Sequence, residues 1–202
     1  MNFIKRYDNL VPVETCEGMI SLFKDADKRK LTNAGMTGKV IDKKRKDSVD
    51  LPHHKITPKL REKYNDVLTN YFEVLQQAQN QYHDEFEQLK YPKTYAHGVY
   101  QFQIQRYYPG GQAYHAWHYE SGHPRVANRL LAFITYLNTV EKGGETEFIY
   151  QKVKAKPEQG LTMIWPAGFT HTHRGLPAPD EVKFIITGWF EWDPALFASV
   201  GR

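Results

Sequence analysis

The stretch VYQFQIQRYY, residues 99–108, alternates apolar and polar side chains with a period of two. That is the pattern of a β-strand with two unlike faces, because successive side chains leave a strand on opposite sides. Towards the C-terminus follow RLLAFITYLN (129–138), TEFIY (146–150), GLTMIWP (160–166) and VKFIITGWFEW (182–192). Each is a short β-rich run, and turns bearing glycine or proline separate them. Towards the N-terminus the period changes. Thr57 is placed to cap a helix with Pro58 at its first position. Leu60, Tyr64, Leu68, Tyr71, Phe72, Leu75 and Ala78 then recur at helical spacing, which predicts one long amphipathic helix or two consecutive ones from Pro58 to about Leu89. Met19, Ile20 and Phe23 predict a helix over Val13–Lys24, and residues 3–12 read as a short strand and turn. Residues 25–56, polar and basic with Gly35, Gly38 and Pro52, read as a long irregular loop that can hold short strands. Helices first and closely spaced strands afterwards predict an α+β chain built on a barrel or sandwich. The division expected is a helical and loop support region over 1–97 and a β core over 98–202, packed as one structural domain.

The 202 residues are the length of a single domain, and 41% hydrophobic content supplies a core. The net charge is +4, concentrated in KDADKRK (24–30) and DKKRKD (42–47). Such a run is ordinarily a solvated face, although it can attract an acidic protein or nucleic acid. It interleaves no aromatics with its basic residues, so stacking on bases is not suggested. The single cysteine, Cys16, rules out an intramolecular disulfide and a cysteine-built metal site. The N-terminal MNFIKRYDNL has no long apolar core, so no signal peptide is expected, and no run approaches the ~20 apolar residues of a membrane span. A cytoplasmic protein is expected.

The chemistry concentrates in YYPGGQAYHAWHYESG, residues 107–122. His118 and Glu120 are spaced i, i+2, which on a strand puts both on one face and lets them reach one metal ion. The best third ligand is His173, in THTHRGLPAP (170–179), with His171 as the competitor if a bulge swaps the two. Two histidines and one carboxylate on one face of an octahedral ion leave three positions open, the arrangement of non-haem Fe(II) oxygenases. Lys183 lies ten residues after His173 in an apolar run. In a β-hairpin that spacing aims both into one cavity, where a lysine can pair with the distal carboxylate of 2-oxoglutarate. A lysine buried among apolar residues needs an anionic partner. GGETEF (143–148) lacks the Gly-Lys-Ser/Thr ending of a phosphate loop and reads as a tight turn.

With these residues in view the chain resembles the Fe(II)- and 2-oxoglutarate-dependent oxygenases, and within them the prolyl 4-hydroxylases. Y-P-G-G-x-x-Y before H-x-E is similar to the segment before H-x-D in that family. ITYLN, GGETEF, KPEQGLTMIWP, HRGLP and KFIITGWF are similar to its later strands, in the same order, and FIKRYDNLVPVETC to its usual opening. The resemblance covers residues 98–193 firmly and the preceding part loosely. It implies a double-stranded β-helix (jelly roll) buttressed by helices. It also implies Fe(II), with 2-oxoglutarate and O2 as co-substrates, and ascorbate as reductant. The implied reaction is decarboxylation of 2-oxoglutarate to succinate with hydroxylation of a C–H bond. Residue by residue it implies His118, Glu120 and His173 as catalytic metal ligands and Lys183 on the 2-oxoglutarate carboxylate. Tyr108 would line the cofactor pocket, Thr135 would donate a hydroxyl to 2-oxoglutarate, and Trp189 would stand beside the site.

One departure is explicit. The family's usual carboxylate is aspartate, and Glu120 has one more methylene, so it reaches further and is less rigid. A halogenase, which lacks the carboxylate, is argued against by Glu120. The expected substrate is a prolyl residue of a protein or peptide. The alternatives are a free amino acid or other small molecule, and a metal-binding jelly roll without turnover. A nucleic-acid demethylase is discounted, since those enzymes resemble a pattern with two arginines after the distal histidine and Lys183 takes the cofactor position here. Residues 25–56 and 121–128 are expected to shape the substrate groove, with Arg125, Asn128 and Arg129 as candidate contacts and a structural role as the equal alternative for Arg129.

Overall fold

The structure is a computed structural model describing residues 2–38, 40–90 and 97–193. In chain order its strands and longer helices are β1 (Lys5–Tyr7), α1 (Val13–Lys28), β2 (Asn33–Ala34), β3 (Val49–Pro52), α2 (Pro58–Lys63) and α3 (Asn65–Glu85). There follow β4 (His97–Tyr107), β5 (Arg129–Tyr136), β6 (Thr146–Phe148), β7 (Val153–Ala155), β8 (Thr162–Pro166), β9 (His173–Gly175) and β10 (Lys183–Trp192). A seven-stranded sheet runs β1-β8-β5-β10-β4-β3-β2, and a three-stranded sheet runs β7-β6-β9. Facing each other, they form the double-stranded β-helix. The expected core boundary at 97/98 falls inside this architecture, because β1, β2 and β3 of the preceding region extend the large sheet at both edges. The last nine residues of the expected 98–202 core lie outside the described residues.

The two faces of the large sheet have different partners, and that decides where the site lies. Phe102 and Ile104 of β4, Leu131 and Phe133 of β5, and Phe184, Ile186 and Phe190 of β10 pack against Met19, Phe23, Tyr71 and Leu75 of the helices. Each fully buried side chain of this size contributes about 1.5–3 kcal/mol by leaving water. On the opposite face Tyr107, Ala132, Ile134, Tyr136 and Ile185 meet Phe148 and Ala155 of the small sheet. Two of the glutamines of VYQFQIQRYY therefore turn inward, while Gln101 stays exposed. Gln103, Gln105 and Tyr107 line a cavity between the sheets.

The helical expectation over 58–89 resolves into two helices. Leu60 N–H donates to Thr57 Oγ1 at 3.4 Å, capping α2. The break is at Tyr64 (φ −111°, ψ 22°), whose hydroxyl donates to Asp25 at 2.8 Å. Helix α1 runs four residues beyond Lys24 because that turn is held from outside. Ala26 is buried there, and Asp27 accepts from Thr32 at 2.7 Å and from Arg106 at 2.8 Å.

Candidate metal centre and cofactor cavity

His118 and Glu120 lie in a nearly extended segment that joins the edge of the small sheet. His118 N–H donates to His173 O at 3.0 Å, and His173 N–H donates to His118 O at 2.9 Å. This narrow antiparallel pair brings ligands 55 residues apart in sequence next to each other. Glu120 N–H donates to Ala167 O at 3.0 Å, which fixes the backbone two residues on. Glu120 Oε1 then lies 3.6 Å from His118 Nε2 and 3.4 Å from His173 Nε2. One ligand atom from each of the three residues falls within 4.8 Å of the others.

Both imidazoles are oriented by their second nitrogen. His118 Nδ1 is 2.9 Å from Ala116 O, and His173 Nδ1 is 2.9 Å from His171 O. A carbonyl only accepts, so each Nδ1 carries a proton, which leaves each Nε2 as the nitrogen turned toward Glu120 and able to ligate a metal. Burial, then the neighbouring His173, hold His118 neutral, with its pKa pushed down to about 3. Burial pushes the Glu120 carboxyl up, but the contact with His173 and the charges around it, Arg129 among them, outweigh that and hold it at about 2. Two imidazole nitrogens and a carboxylate oxygen thus converge on one point, and this donor set suits a hard to borderline divalent metal.

The longer glutamate is held from behind. Trp189 Nε1–H donates to Glu120 Oε2 at 2.7 Å. Arg129 donates to the Glu120 backbone carbonyl at 3.2 Å and lies 3.6 Å from Oε2, while its guanidinium stacks 3.4 Å from the centroid of the Trp189 ring. Arg129, considered from sequence as a substrate contact, is occupied with Glu120 and with Glu191 at 3.3 Å.

Lys183 lines the same cavity and is 3% exposed. Its ammonium donates to Gly144 O at 2.9 Å and lies 4.8 Å from the centre of the Tyr107 ring. Burial pushes its pKa down to about 8, partly opposed by Glu145. The expected hairpin between His173 and Lys183 is corrected: β9 belongs to the small sheet and β10 to the large one. The ten-residue spacing works because the loop crosses between sheets whose inner faces bound the same cavity. The GGETEF turn is as expected, with Gly143 and Gly144 at φ +73° and +76°, a region that favours glycine.

Two expected positions are displaced by one residue. Tyr108 is 44% exposed, and its ring stacks under Arg106 at 4.3 Å, whereas Tyr107 lines the cavity. Thr135 points to the helix side, bonded to Tyr71 Oη at 3.0 Å and Thr162 Oγ1 at 2.8 Å. Tyr136 takes the inward place, donating to the cavity residue Thr146 at 2.6 Å. Both corrections have one cause, the period-two alternation of a strand. Of the competing histidines, His171 turns away from the site and bonds Asn2 O at 2.8 Å and Thr170 at 3.0 Å. Among residues not singled out from sequence, Lys46, Gln105 and Tyr114 line the cavity. So does Trp165, whose buried Nε1–H has no partner among the described residues. Such an orphaned donor beside His173 suits a bound ligand with an acceptor atom.

A jelly roll with a facial His–Glu–His set and a buried lysine in the same cavity is the frame of a metal-dependent oxygenase. The family model of the 2OG-Fe(II) oxygenase superfamily matches residues 102–191. Prolyl 4-hydroxylase 13 of Arabidopsis thaliana is 29% identical over 127 residues, covering 50% of this chain and 44% of that protein. The match thus spans less than half the length of that relative. A Pseudomonas putida prolyl-4-hydroxylase superposes with a TM-score of 0.72 at 14% identity, covering 95% of this chain and 94% of that one. A Trichoplax adhaerens prolyl hydroxylase, solved with a hypoxia inducible factor peptide, gives 0.66 at 14% identity, covering 100% and 89%. Residues 102–191 are thus similar to the 2OG-Fe(II) oxygenase superfamily, and part of the chain is similar to a prolyl 4-hydroxylase. That superfamily works with Fe(II), 2-oxoglutarate and O2. No helix among the described residues is long and apolar enough to cross a membrane.

Proposed function

We propose that the chain hydroxylates a C–H bond of a prolyl residue in a protein or peptide, using Fe(II), 2-oxoglutarate and O2. The observation that carries the proposal is the convergence of His118 Nε2, His173 Nε2 and Glu120 Oε1 in one cavity with the buried Lys183 ammonium. Iron held by these residues would supply O2 activation, coupling decarboxylation of 2-oxoglutarate to succinate and CO2 with insertion of the second oxygen atom into a C–H bond of the substrate. The protein's part is positional. His118, Glu120 and His173 would hold the metal. Trp189 aims the Glu120 carboxylate, and Arg129 helps to keep it ionised. Lys183 offers a desolvated ammonium to the distal carboxylate of 2-oxoglutarate, a charge-assisted bond strengthened by the low local dielectric. Tyr107 and Ile185 wall the channel beside it. Support for a peptide substrate comes from the likeness to prolyl 4-hydroxylases, one of them solved with a peptide. Ascorbate, as a reductant of iron, is expected to stimulate turnover.

The test is Fe(II)-dependent conversion of 2-oxoglutarate to succinate by the purified protein, with and without proline-rich peptides. Succinate in both conditions, raised by peptide, is the expected result. Bound iron without succinate in either condition would instead make the chain a non-catalytic metal-binding jelly roll.

A further inference from the structure

The basic stretch 42–47 is joined to the segment that leads into the metal site. Asp47 N–H donates to Ala113 O at 2.9 Å, and Ala116 N–H donates to Arg45 O at 3.0 Å. Lys46 faces Tyr114 across an isolated bridge. Lys43, Lys44 and Arg45 stay exposed on this turn, whereas Lys46 turns inward, 3% exposed, onto the wall of the triad's cavity. Its ammonium lies 5.5 Å from the centre of the Tyr114 ring, which stacks flat on His118 at 3.6 Å.

The surroundings of Lys46 are built rather than incidental. Asp50 Oδ2 accepts from Lys46 Nζ at 2.6 Å, while Asp50 Oδ1 accepts from Ser48 Oγ at 2.8 Å and from Gln105 Nε2 at 3.1 Å. Gly35 closes the outer side, where an added Cβ would collide with Ser48 Oγ and lie 3.2 Å from Lys46 Cε. Pairing meets the charge of the buried lysine. It does not exhaust its donors: an ammonium carries three N–H groups, and Asp50 is the one hydrogen-bond acceptor of Lys46 among the described residues. Because Lys46 lines the triad's cavity, the remaining donors can be met from there. The Lys46–Asp50 pair is neutral as a unit, and the dicarboxylate co-substrate already has Lys183 and the metal. The acceptor that suits Lys46 is therefore an uncharged carbonyl oxygen.

We propose that Lys46 positions the substrate by donating a hydrogen bond to a backbone carbonyl of the peptide, holding the reacting residue against the metal triad. This rests on the prolyl hydroxylase function proposed above. The experiment compares the wild-type chain, Lys46→Met and Lys46→Arg, loaded with Fe(II), by succinate formation at varied 2-oxoglutarate and varied proline-rich peptide. Lys46→Met is expected to raise the peptide KM about tenfold, the scale of one lost hydrogen bond to a charged donor, with less than about a twofold rise in half-saturating 2-oxoglutarate. Lys46→Arg, which keeps donors, is expected to recover part of the peptide KM. If Lys46→Met does not fold, Lys46→Met combined with Asp50→Asn leaves no orphaned charge and is expected to give the same split. An unchanged peptide KM overturns the role. A rise confined to 2-oxoglutarate overturns it as well and moves Lys46 to the co-substrate. A wild-type chain that makes succinate without any response to peptide overturns the prolyl function, and this role with it, while leaving the oxygenase chemistry standing.

Discussion

Replacing Trp189 with phenylalanine tests how firmly this site holds its glutamate ligand. Phenylalanine keeps a ring beneath the Arg129 guanidinium, now 3.4 Å from the ring centroid, and removes only the indole donor that holds Glu120 Oε2 at 2.7 Å. Glu120 has one more side-chain torsion than aspartate, so the lost bond releases a freedom that must be paid back when metal binds. Hydrogen bonds that orient a metal ligand are typically worth about 10–100-fold in metal affinity. Arg129 stays 3.6 Å from the same oxygen and limits the damage, so a weakening of about tenfold, or ~1.4 kcal/mol, is expected. Calorimetric titration of the metal-free protein with Mn(II), which binds similar donors, measures it directly. A dissociation constant within twofold of wild type, in a variant with an unchanged melting temperature, would refute the claim that Trp189 positions the carboxylate.

Three further outcomes are expected. Lys183 titrates at about 8 in the folded chain because burial disfavours its charge, whereas an unfolded lysine titrates near ~10.4, so the folded state carries the full cost below about pH 8 and sheds it as pH rises to about 10. Lys183→Met should therefore raise the melting temperature of the cofactor-free protein by a few degrees at pH 7, with the gain vanishing near pH 10, while raising half-saturating 2-oxoglutarate at least about tenfold. A lowered melting temperature at pH 7 would mean that the ammonium is already well paired. His173→Ala and Glu120→Ala should each abolish Fe(II)-dependent succinate formation, whereas His171→Gln should retain it; full activity in His173→Ala would remove that residue from the metal site. Gly188→Ala places a methyl group 2.7 Å from Phe133 Cε1 and 2.8 Å from Gln101 O, so urea unfolding should show a loss of about 1–3 kcal/mol, and an unchanged midpoint would show that β4 and β5 yield freely.

The chain's periodicities carried most of the architecture. Alternation in residues 99–108 identified β4, and the capping residue Thr57 marked the start of α2 to the residue. The i, i+2 spacing of His118 and Glu120, with His173 and Lys183 further on, pointed to residues that share one cavity in the structure. These features were legible because they are local: a strand's period, a cap and a ligand pair each involve a few consecutive residues.

Facing was legible only where the alternation was strong. In β4 Gln103 and Gln105 mark the cavity wall, so Tyr107, on the same parity, points inward and Tyr108 does not. In β5, Leu131 to Tyr136 are buried on both faces, and nothing in the local pattern distinguishes Thr135 from Tyr136. Only the helices packed on one side and the small sheet on the other separate them. The same holds for Lys46, Ser48 and Asp50. Their i, i+2 spacing marks a common face, but a charged run looks solvated until Gln105 and Gly35 close around it. Long-range pairing decided the remainder: β9 and β10 lie in different sheets, His118 meets His173 across 55 residues, and Trp189 reaches Glu120 across 69. Such contacts leave no periodic trace in the sequence, because they depend on how finished strands dock rather than on how each one forms.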